Sequence, residues 1–403
     1  MRILLVHNSY QQPGGEDVVF DQERQLLERA GHRVVTYCRT NWEINRYSGL
    51  RRSALVGHMI WARDARLEIA GLIRREKPDL AHIHNTFLMI SPSIYSACQE
   101  AGVPVVQTLH NYRLLCPAAI LFRDGLTCEE CLEHSLWRAT RHRCYRHSRV
   151  VTSAVAFMLA VHRWRRTWAQ GVNCFIVLSE FSRRKFIEGG TLAEKIAVKP
   201  NFVSSDPGYR AGSGEYALFI GRLSPEKRVV TLLAAWQLLQ TPIPLRIIGG
   251  GCEGELLDTS AKRAALSDVR FLGQLPRGEV MAALKHAAFL VFTSEWYENF
   301  PMTIAEAFAC GVPVICSRLG AMQEIVADGR TGLHFTPGDP QDLAAKVEWA
   351  WTHPKELVAM GRAARAEYEA KFTAERNYKM LMEIYGKVLG TGIEDFGRGQ
   401  CAG

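Results

Sequence analysis

No apolar run in the 403-residue chain approaches the ~20 residues needed to cross a bilayer as a helix. The longest, Val150 to Val161, is interrupted by Thr152 and Ser153. At the N-terminus, Ile3 to Val6 are the only apolar residues in a row before His7, where a signal peptide carries an apolar core of about 7 to 15. No export signal is expected, so the compartment is expected to be cytoplasmic and reducing, and the cysteines are not expected to form a disulfide framework. Asp-x-Asp occurs nowhere, and no repeat of solenoid period is present. Acidic residues are missing altogether from 134–179, a stretch that holds eight arginines.

What is present is an ordinary globular balance, 47% hydrophobic and 22% charged, which excludes global disorder. The length suggests two or three domains and excludes a lone binding module. Net charge is +8, but 28 basic and 18 acidic residues lie in 1–200, against 21 and 23 in 201–403. A basic first half points to a polyanionic partner: nucleic acid, an anionic membrane leaflet or a phosphate-bearing substrate.

Short aliphatic runs at Ile3–Val6, Arg33–Tyr37, Leu80–His84, Val103–Leu109 and Cys174–Leu178 read as parallel strands buried on both faces and joined by helices. The rhythm restarts at Tyr216–Ile220 and continues through Leu245–Ile248, Val269–Leu272, Phe289–Phe292, Val312–Cys316 and Thr331–Phe335. Two doubly wound, Rossmann-like α/β domains are expected. Their boundary falls near Pro200, in the stretch Lys199 to Gly208, where two prolines break the pattern. The expected order is an N-terminal domain over 1–200 with a Cys-rich insert at 112–148, a C-terminal domain over 201–371, a last helix over 372–389 and a disordered tail from 390.

In such sheets ligands collect at the carboxyl ends of strands, beside helix N-termini. Gly14-Gly15-Glu16 follows the first strand, and its glycines allow amides to approach a phosphate or a sugar; the bland alternative is a flexible loop. Gly221 to Arg228 places Arg222 and Lys227 beside the next helix start, a pairing suited to a diphosphate, although surface arginines are common. Gly249-Gly250-Gly251-Cys252-Glu253-Gly254 satisfies G-x-G-x-x-G after a strand, with Asp268 near the distance of an acidic ribose ligand. That fingerprint makes an NAD-dependent oxidoreductase the alternative from another reaction class.

Ser294 to Val314 carries the most information. Pro301 starts a helix and Gly311 ends it, so Glu298 sits in the loop before and Glu306 inside. Glu306 is flanked by Ile304, Ala305, Ala307, Phe308 and Ala309, and a carboxylate among such neighbours needs a partner; ligand hydroxyls are suitable.

These residues resemble the retaining, family 4 glycosyltransferases of the GT-B fold, whose two Rossmann-like domains face each other across a cleft. The resemblance runs over nearly the whole chain. It is carried by Glu298-x7-Glu306, followed by Ala307-x-x-x-Gly311-x-Pro313-Val314, and by Gly221-Arg222-Leu223-x-x-Glu226-Lys227. It implies a nucleotide-sugar donor, UDP- or GDP-linked, and a glycan or polyprenyl-diphosphate-linked acceptor in surface or exopolysaccharide synthesis. Glu306 would hold the ribose, Glu298 the donor sugar, and Arg222 and Lys227 the diphosphate. Asn299, Phe300 and Pro301 would complete the sugar pocket, and Gly14, Gly15, Gly221 and Gly249 would line the donor. His110, ending the strand before it, matches the histidine that faces the donor sugar. The missing Asp-x-Asp agrees with catalysis that needs no metal or other cofactor.

Two features exceed the resemblance. Cys116, Cys128, Cys131 and Cys144 give C-x11-C-x2-C-x12-C, which reads as a structural zinc site, with His134, His142 and His147 as substitute ligands. Four thiols or a local disulfide are the alternatives. The arginine-rich stretch, with Trp164 and Trp168 beside the Val150–Val161 helix, suits an anionic membrane surface and peripheral attachment at the inner face of the cytoplasmic membrane. The alternatives are a helix that simply packs on the N-terminal sheet, or RNA binding, for which no module is recognisable. A non-enzymatic membrane-associated binding protein is the third overall reading.

Overall fold

The computed structural model describes residues 1–11, 14–48, 51–210 and 212–391. Of the tail expected from 390, residues 392–403 lie outside the described residues. The chain divides into two compact units.

The first unit comprises Met1–Ile120, Glu129–Pro200 and the segment that begins at Glu375. Its early strands are β1 (Arg2–Ser9), β2 (Arg33–Thr40), β3 (Leu80–Ile83) and β4 (Val105–Thr108). A short antiparallel hairpin follows, β5 (Phe122–Arg123) with β6 (Leu126–Thr127), then β7 (Cys174–Val177) and β8 (Ile196–Val198). The sheet is parallel in the order β2-β1-β3-β4-β7-β8. Ile3 to Asn8 of β1 are buried on both faces, the physical reason for an unbroken apolar run there. Three-residue β8 at the sheet edge gave no readable pattern in the sequence. The helix Ala374–Leu389 buries Leu381, Met382, Ile384 and Tyr385 in one cluster with Ile3, Leu5, Phe20, Leu27 and Leu80.

The second unit spans Asn201–Ala374 and also takes Leu121–Cys128. The Cys-rich insert expected as one piece at 112–148 is therefore divided, because its hairpin associates with this unit: Arg228 Nη2 donates to Gly125 O at 3.4 Å. Strands β9 (Tyr216–Ile220), β10 (Leu245–Ile248), β11 (Val269–Gly273), β12 (Ala287–Phe292), β13 (Val314–Ser317) and β14 (Gly332–Phe335) form a parallel sheet ordered β11-β10-β9-β12-β13-β14. The order reverses between β9 and β12, so their carboxyl ends open the crevice in which such sheets bind ligands. One face of the sheet is sealed by Val229, Leu232, Leu233 and Trp236 of helix Val229–Leu238, together with Leu343 and Val347 of helix Pro340–Thr352.

Candidate active site

In the second unit the loops leaving β9 and β12 meet at that crevice. After β9 the chain makes a single turn, Pro225–Lys227, and Arg228 takes a left-handed φ of 52° before the next helix begins. This turn lifts Lys227 toward the β12 loop, where Thr293 Oγ1 donates to Lys227 O at 2.8 Å. Lys227 Nζ donates to Glu298 Oε1 at 2.5 Å. The same oxygen accepts Ser294 Oγ at 2.8 Å and Trp296 Nε1 at 2.7 Å. The ammonium also lies 5.0 Å from the centroid of Phe292 and 5.7 Å from that of Trp296, in reach of both ring faces. Glu298 and Lys227 are respectively 8% and 12% exposed, so both charges are largely withdrawn from water and matched to each other.

A second ion pair braces the loop from behind. Arg228 Nε donates to Glu295 Oε2 at 2.8 Å, Thr231 Oγ1 to Glu295 Oε1 at 3.2 Å, and Glu295 N to Glu226 O at 3.0 Å. Arg222, by contrast, is 65% exposed, and its only ion pair among the described residues is a 3.5 Å contact with Glu226.

Glu306 lies inside helix Met302–Ala309 and meets Arg277 at 3.2 Å. Burial pushes its carboxyl up, and Arg277 opposes the shift. Arg277 was not singled out in the sequence, yet a signal exists: it opens helix Arg277–His286, where a cation works against the helix dipole and needs an anion beside it. Asn299 and Phe300 are buried in the β12 loop, and Pro301 caps the helix that carries Glu306.

The glycine run after β10 has a structural cause. Gly249 has φ 144°, and a Cβ there would sit 1.8 Å from Gly221 O; one on Gly251 would sit 2.2 Å from Leu223 O. Leu223 N donates to Gly250 O and Glu253 N to Leu223 O. These glycines let the β9 and β10 loops close on each other. Asp268 precedes β11, at the amino end of the strands and away from the ligand-binding edge, so the dinucleotide fingerprint is not assembled.

In the first unit, the carboxyl ends of β1, β3 and β4 carry a separate polar group. Gly14 N donates to Asp17 Oδ2 at 2.7 Å, closing the start of helix Gly15–Arg29. Glu16 accepts Asn85 Nδ2 at 2.9 Å and Asn111 Nδ2 at 3.3 Å. Burial, then Asp17, pushes the Glu16 carboxyl up to about 8. Two acids crowd this helix start, so it suits hydroxyl groups and is hostile to the phosphate entertained for Gly14 and Gly15. His110 follows β4, with its Nε2 2.9 Å from His84 Nδ1. Burial, then His84, holds the His110 imidazole well below its usual pKa, so it is neutral.

Of the four cysteines, Cys131 has Cys116 and Cys144 as neighbours in the first unit. Cys131 and Cys116 share a hydrogen bond, which, with burial and the proximity of Cys144, raises the Cys131 thiol. Among the described residues, the one group of three or more ligating side chains within mutual reach is Glu23, His82 and His84.

Helix Arg149–Trp164 buries Thr152, Val155, Ala156, Met158, Leu159 and His162. Its other side leaves Val150 and Trp164 about four-fifths exposed (78% and 82%) and Phe157 half exposed, spaced seven apart along one face. Trp168 is buried, which removes it from any membrane contact. No helix among the described residues is long and apolar enough to cross a membrane.

Two family models match the chain, "Glycosyltransferase Family 4" over residues 13–206 and "Glycosyl transferases group 1" over residues 208–367. The chain is 29% identical over 343 residues to a glycogen synthase of Mycobacterium tuberculosis, covering 82% of this chain and 74% of that protein. It is 30% identical over 239 residues to a phosphatidyl-myo-inositol mannosyltransferase of the same organism, covering 54% and 61%. In three dimensions it is similar to Anabaena HepE in complex with UDP, with a TM-score of 0.66 at 19% identity over 96% of this chain and all of the other.

Proposed function

We propose that this chain, which belongs to the family 4 glycosyltransferases and has their GT-B fold, is a retaining, metal-independent hexosyltransferase. The donor is a nucleoside diphosphate sugar, UDP- or GDP-linked, and the acceptor a glycan or polyprenyl-diphosphate-linked glycan of a surface or exported polysaccharide. One observation carries the reading. At the crevice between β9 and β12, Lys227 is locked on Glu298 while Ser294 and Trp296 orient the same carboxylate.

Breaking the bond between the anomeric carbon and diphosphate leaves an oxocarbenium-like centre and a leaving group of growing negative charge. Lys227 and Arg222, beside the start of helix Val229–Leu238, stabilise that charge. Glu298 accepts hydroxyls of the donor sugar, Glu306 accepts those of the ribose, and Asn299, Phe300 and Pro301 shape the sugar pocket. In the second unit Gly221 and Gly249 let the β9 and β10 loops close beside the donor, and in the first unit Gly14 and Gly15 open a helix start suited to hydroxyls and His110 is neutral. Three donors already share Glu298 Oε1, which makes this carboxylate a poor nucleophile and favours front-face retention over a glycosyl-enzyme. The acceptor oxygen bonds the anomeric carbon on the face that the diphosphate leaves, and its proton passes to a departing phosphate oxygen.

Two further assignments belong to this reading. The exposed face of Val150, Phe157 and Trp164, with the acid-free arginines around it, rests on an anionic membrane leaflet at the cytoplasmic side. Arg163 Nη2 donates to Leu114 O and Arg165 stacks over Trp61, which pre-orders two of these cations. Cys116, Cys131 and Cys144, with Cys128, take one structural zinc: clustered thiols suit a soft ligand set, and binding thiolates would reverse the upward shift of Cys131.

The deciding experiment is a thermal-shift panel of UDP, GDP, ADP and dTDP beside NAD and NADH. At least one nucleoside diphosphate is expected to raise Tm by mass action. A shift with nicotinamide cofactors and none with the diphosphates would overturn the assignment.

A further inference from the structure

A fully buried polar chain runs through the first unit beneath His110. Glu23 of helix Gly15–Arg29 and Lys199, which follows β8, meet at 3.0 Å between Oε2 and Nζ, and both are shut off from water. The Lys199 ammonium also donates to Asn377 Oδ1 at 3.2 Å. The other oxygen, Glu23 Oε1, lies 3.0 Å from His82 Nδ1 and 3.3 Å from His84 Nε2. Tyr385 Oη is 2.7 Å from the same nitrogen of His82, whose Nε2 is 2.8 Å from Thr108 Oγ1. His7 packs edge-on to His84 and reaches Asp17 Oδ1 at 2.8 Å.

This cluster is not a cation site, although Glu23, His82 and His84 have metal-ligating atoms within mutual reach. Lys199 already supplies the positive charge at Glu23, and both nitrogens of His82 are engaged.

Proton accounting gives it a different role. Burial alone would raise the Glu23 carboxyl, but Lys199 and then His82 overcome that and hold it well below the usual range. An ionised carboxylate only accepts, so the nitrogens that face it carry protons. Neither Glu23 Oε1 nor His84 Nε2 has a well-formed hydrogen bond, and at 3.3 Å a bare nitrogen lone pair beside the carboxylate would repel it, whereas an N–H is attracted. His84 is therefore the Nε2–H tautomer, with a bare Nδ1. His110 Nε2 sits 2.9 Å from that lone pair and must donate to it. We propose that Glu23, through His84, fixes His110 as the neutral Nε2–H tautomer, so that its Nδ1 can act only as a hydrogen-bond acceptor. Glu23 and His84 are thus positioning residues for His110. Only the kinetic consequence rests on the transferase reading; the proton assignment does not.

The test is long-range proton–nitrogen NMR on protein labelled with 15N-histidine, with the His110 signals identified by their loss in His110→Gln. At pH 7 the wild type is expected to show His110 with a protonated Nε2 and an unprotonated Nδ1. An Nδ1–H tautomer or an imidazolium at His110 would overturn the proposal, whatever the enzyme's activity. The double variant Glu23→Gln, Lys199→Met removes the carboxylate without stranding the buried ammonium, and there His110 is expected to populate both tautomers. Its kcat is expected to fall about tenfold with KM for the donor little changed, the scale of one lost hydrogen bond to a charged group. An unchanged tautomer in a folded double variant would also sink the assignment. Should the double variant not fold, the wild-type spectrum decides alone.

Discussion

Replacing Lys227 by Ala separates the structural from the chemical role of the Lys227–Glu298 pair. At 2.5 Å and an effective dielectric of ~20, the attraction is about 7 kcal/mol gross, most of it offset by the cost of desolvating both groups. Removing the cation alone strands a carboxylate that is 8% exposed, which costs about 3 to 5 kcal/mol in buried pairs. Ser294 and Trp296 still donate to it, so the low end, about 3 kcal/mol, is expected. For a unit of this size that lowers Tm by about 6 to 12 °C. The double variant Lys227→Ala, Glu298→Gln leaves no stranded charge and should recover about 2 kcal/mol of the loss. Turnover follows another rule: the ammonium that meets the departing diphosphate is missing from both variants, so kcat is expected to fall about 10²- to 10³-fold in each, with a smaller change in KM. Thermal unfolding and steady-state kinetics on the wild type, both single variants and the double variant complete the cycle. If the double variant is no more stable than Lys227→Ala, or if stability recovers and turnover recovers with it, the reasoning is wrong.

Glu306→Gln should weaken nucleoside diphosphate binding by about 1.5 to 3 kcal/mol, read by calorimetry, with the fold intact because Arg277 is 46% exposed and can rehydrate. Glu16, whose ordinary pKa of 4.5 is pushed up to about 8 by burial and Asp17, keeps a proton that the unfolded chain releases; its contribution to stability is complete below about pH 4.5 and is lost as pH rises to about 8, at about 1.4 kcal/mol per pH unit. Glu16→Gln cannot ionise, so the variant should gain on the wild type as pH rises from 5 to 8 in chemical denaturation, and parallel curves would refute the assignment. Sedimentation with anionic vesicles should require low salt and weaken when Arg163, Arg165 and Arg166 become Ser or when Trp164 becomes Ser, at about 1 kcal/mol per cation engaged; Trp168→Ser should act through stability instead. Elemental analysis of protein purified without chelator should return about one zinc per chain, while brief EDTA treatment leaves turnover unchanged; no zinc, or immediate loss of activity, would contradict the respective claims.

Pattern and punctuation made much of this protein legible from its sequence. Continuous apolar runs marked the central strands because parallel strands are buried on both faces, and the short range of helix capping made Pro301 and Gly311 bracket the helix of Glu306. The residue types at Lys227, Glu298 and Glu306 announced a charged site for the same reason: ionic groups among apolar neighbours need partners. Tertiary structure alone decided who those partners are. Arg277 reaches Glu306 and Lys227 reaches Glu298 only because the sheet order brings loops distant in sequence to one crevice. The glycines at 249–251 fitted a nucleotide fingerprint as letters, but the close approach of Gly221 O is a fact of packing, and the strand direction that puts Asp268 at the opposite end is a fact of topology. Trp164 and Trp168 are four residues apart in one basic stretch, and the turn after Trp164 exposes the first and buries the second. Glu23 gave no signal at all, since a single glutamate in a polar helix resembles a solvated charge until Lys199, His82 and His84 are folded around it, when burial turns a weak surface group into the anion that sets their protons.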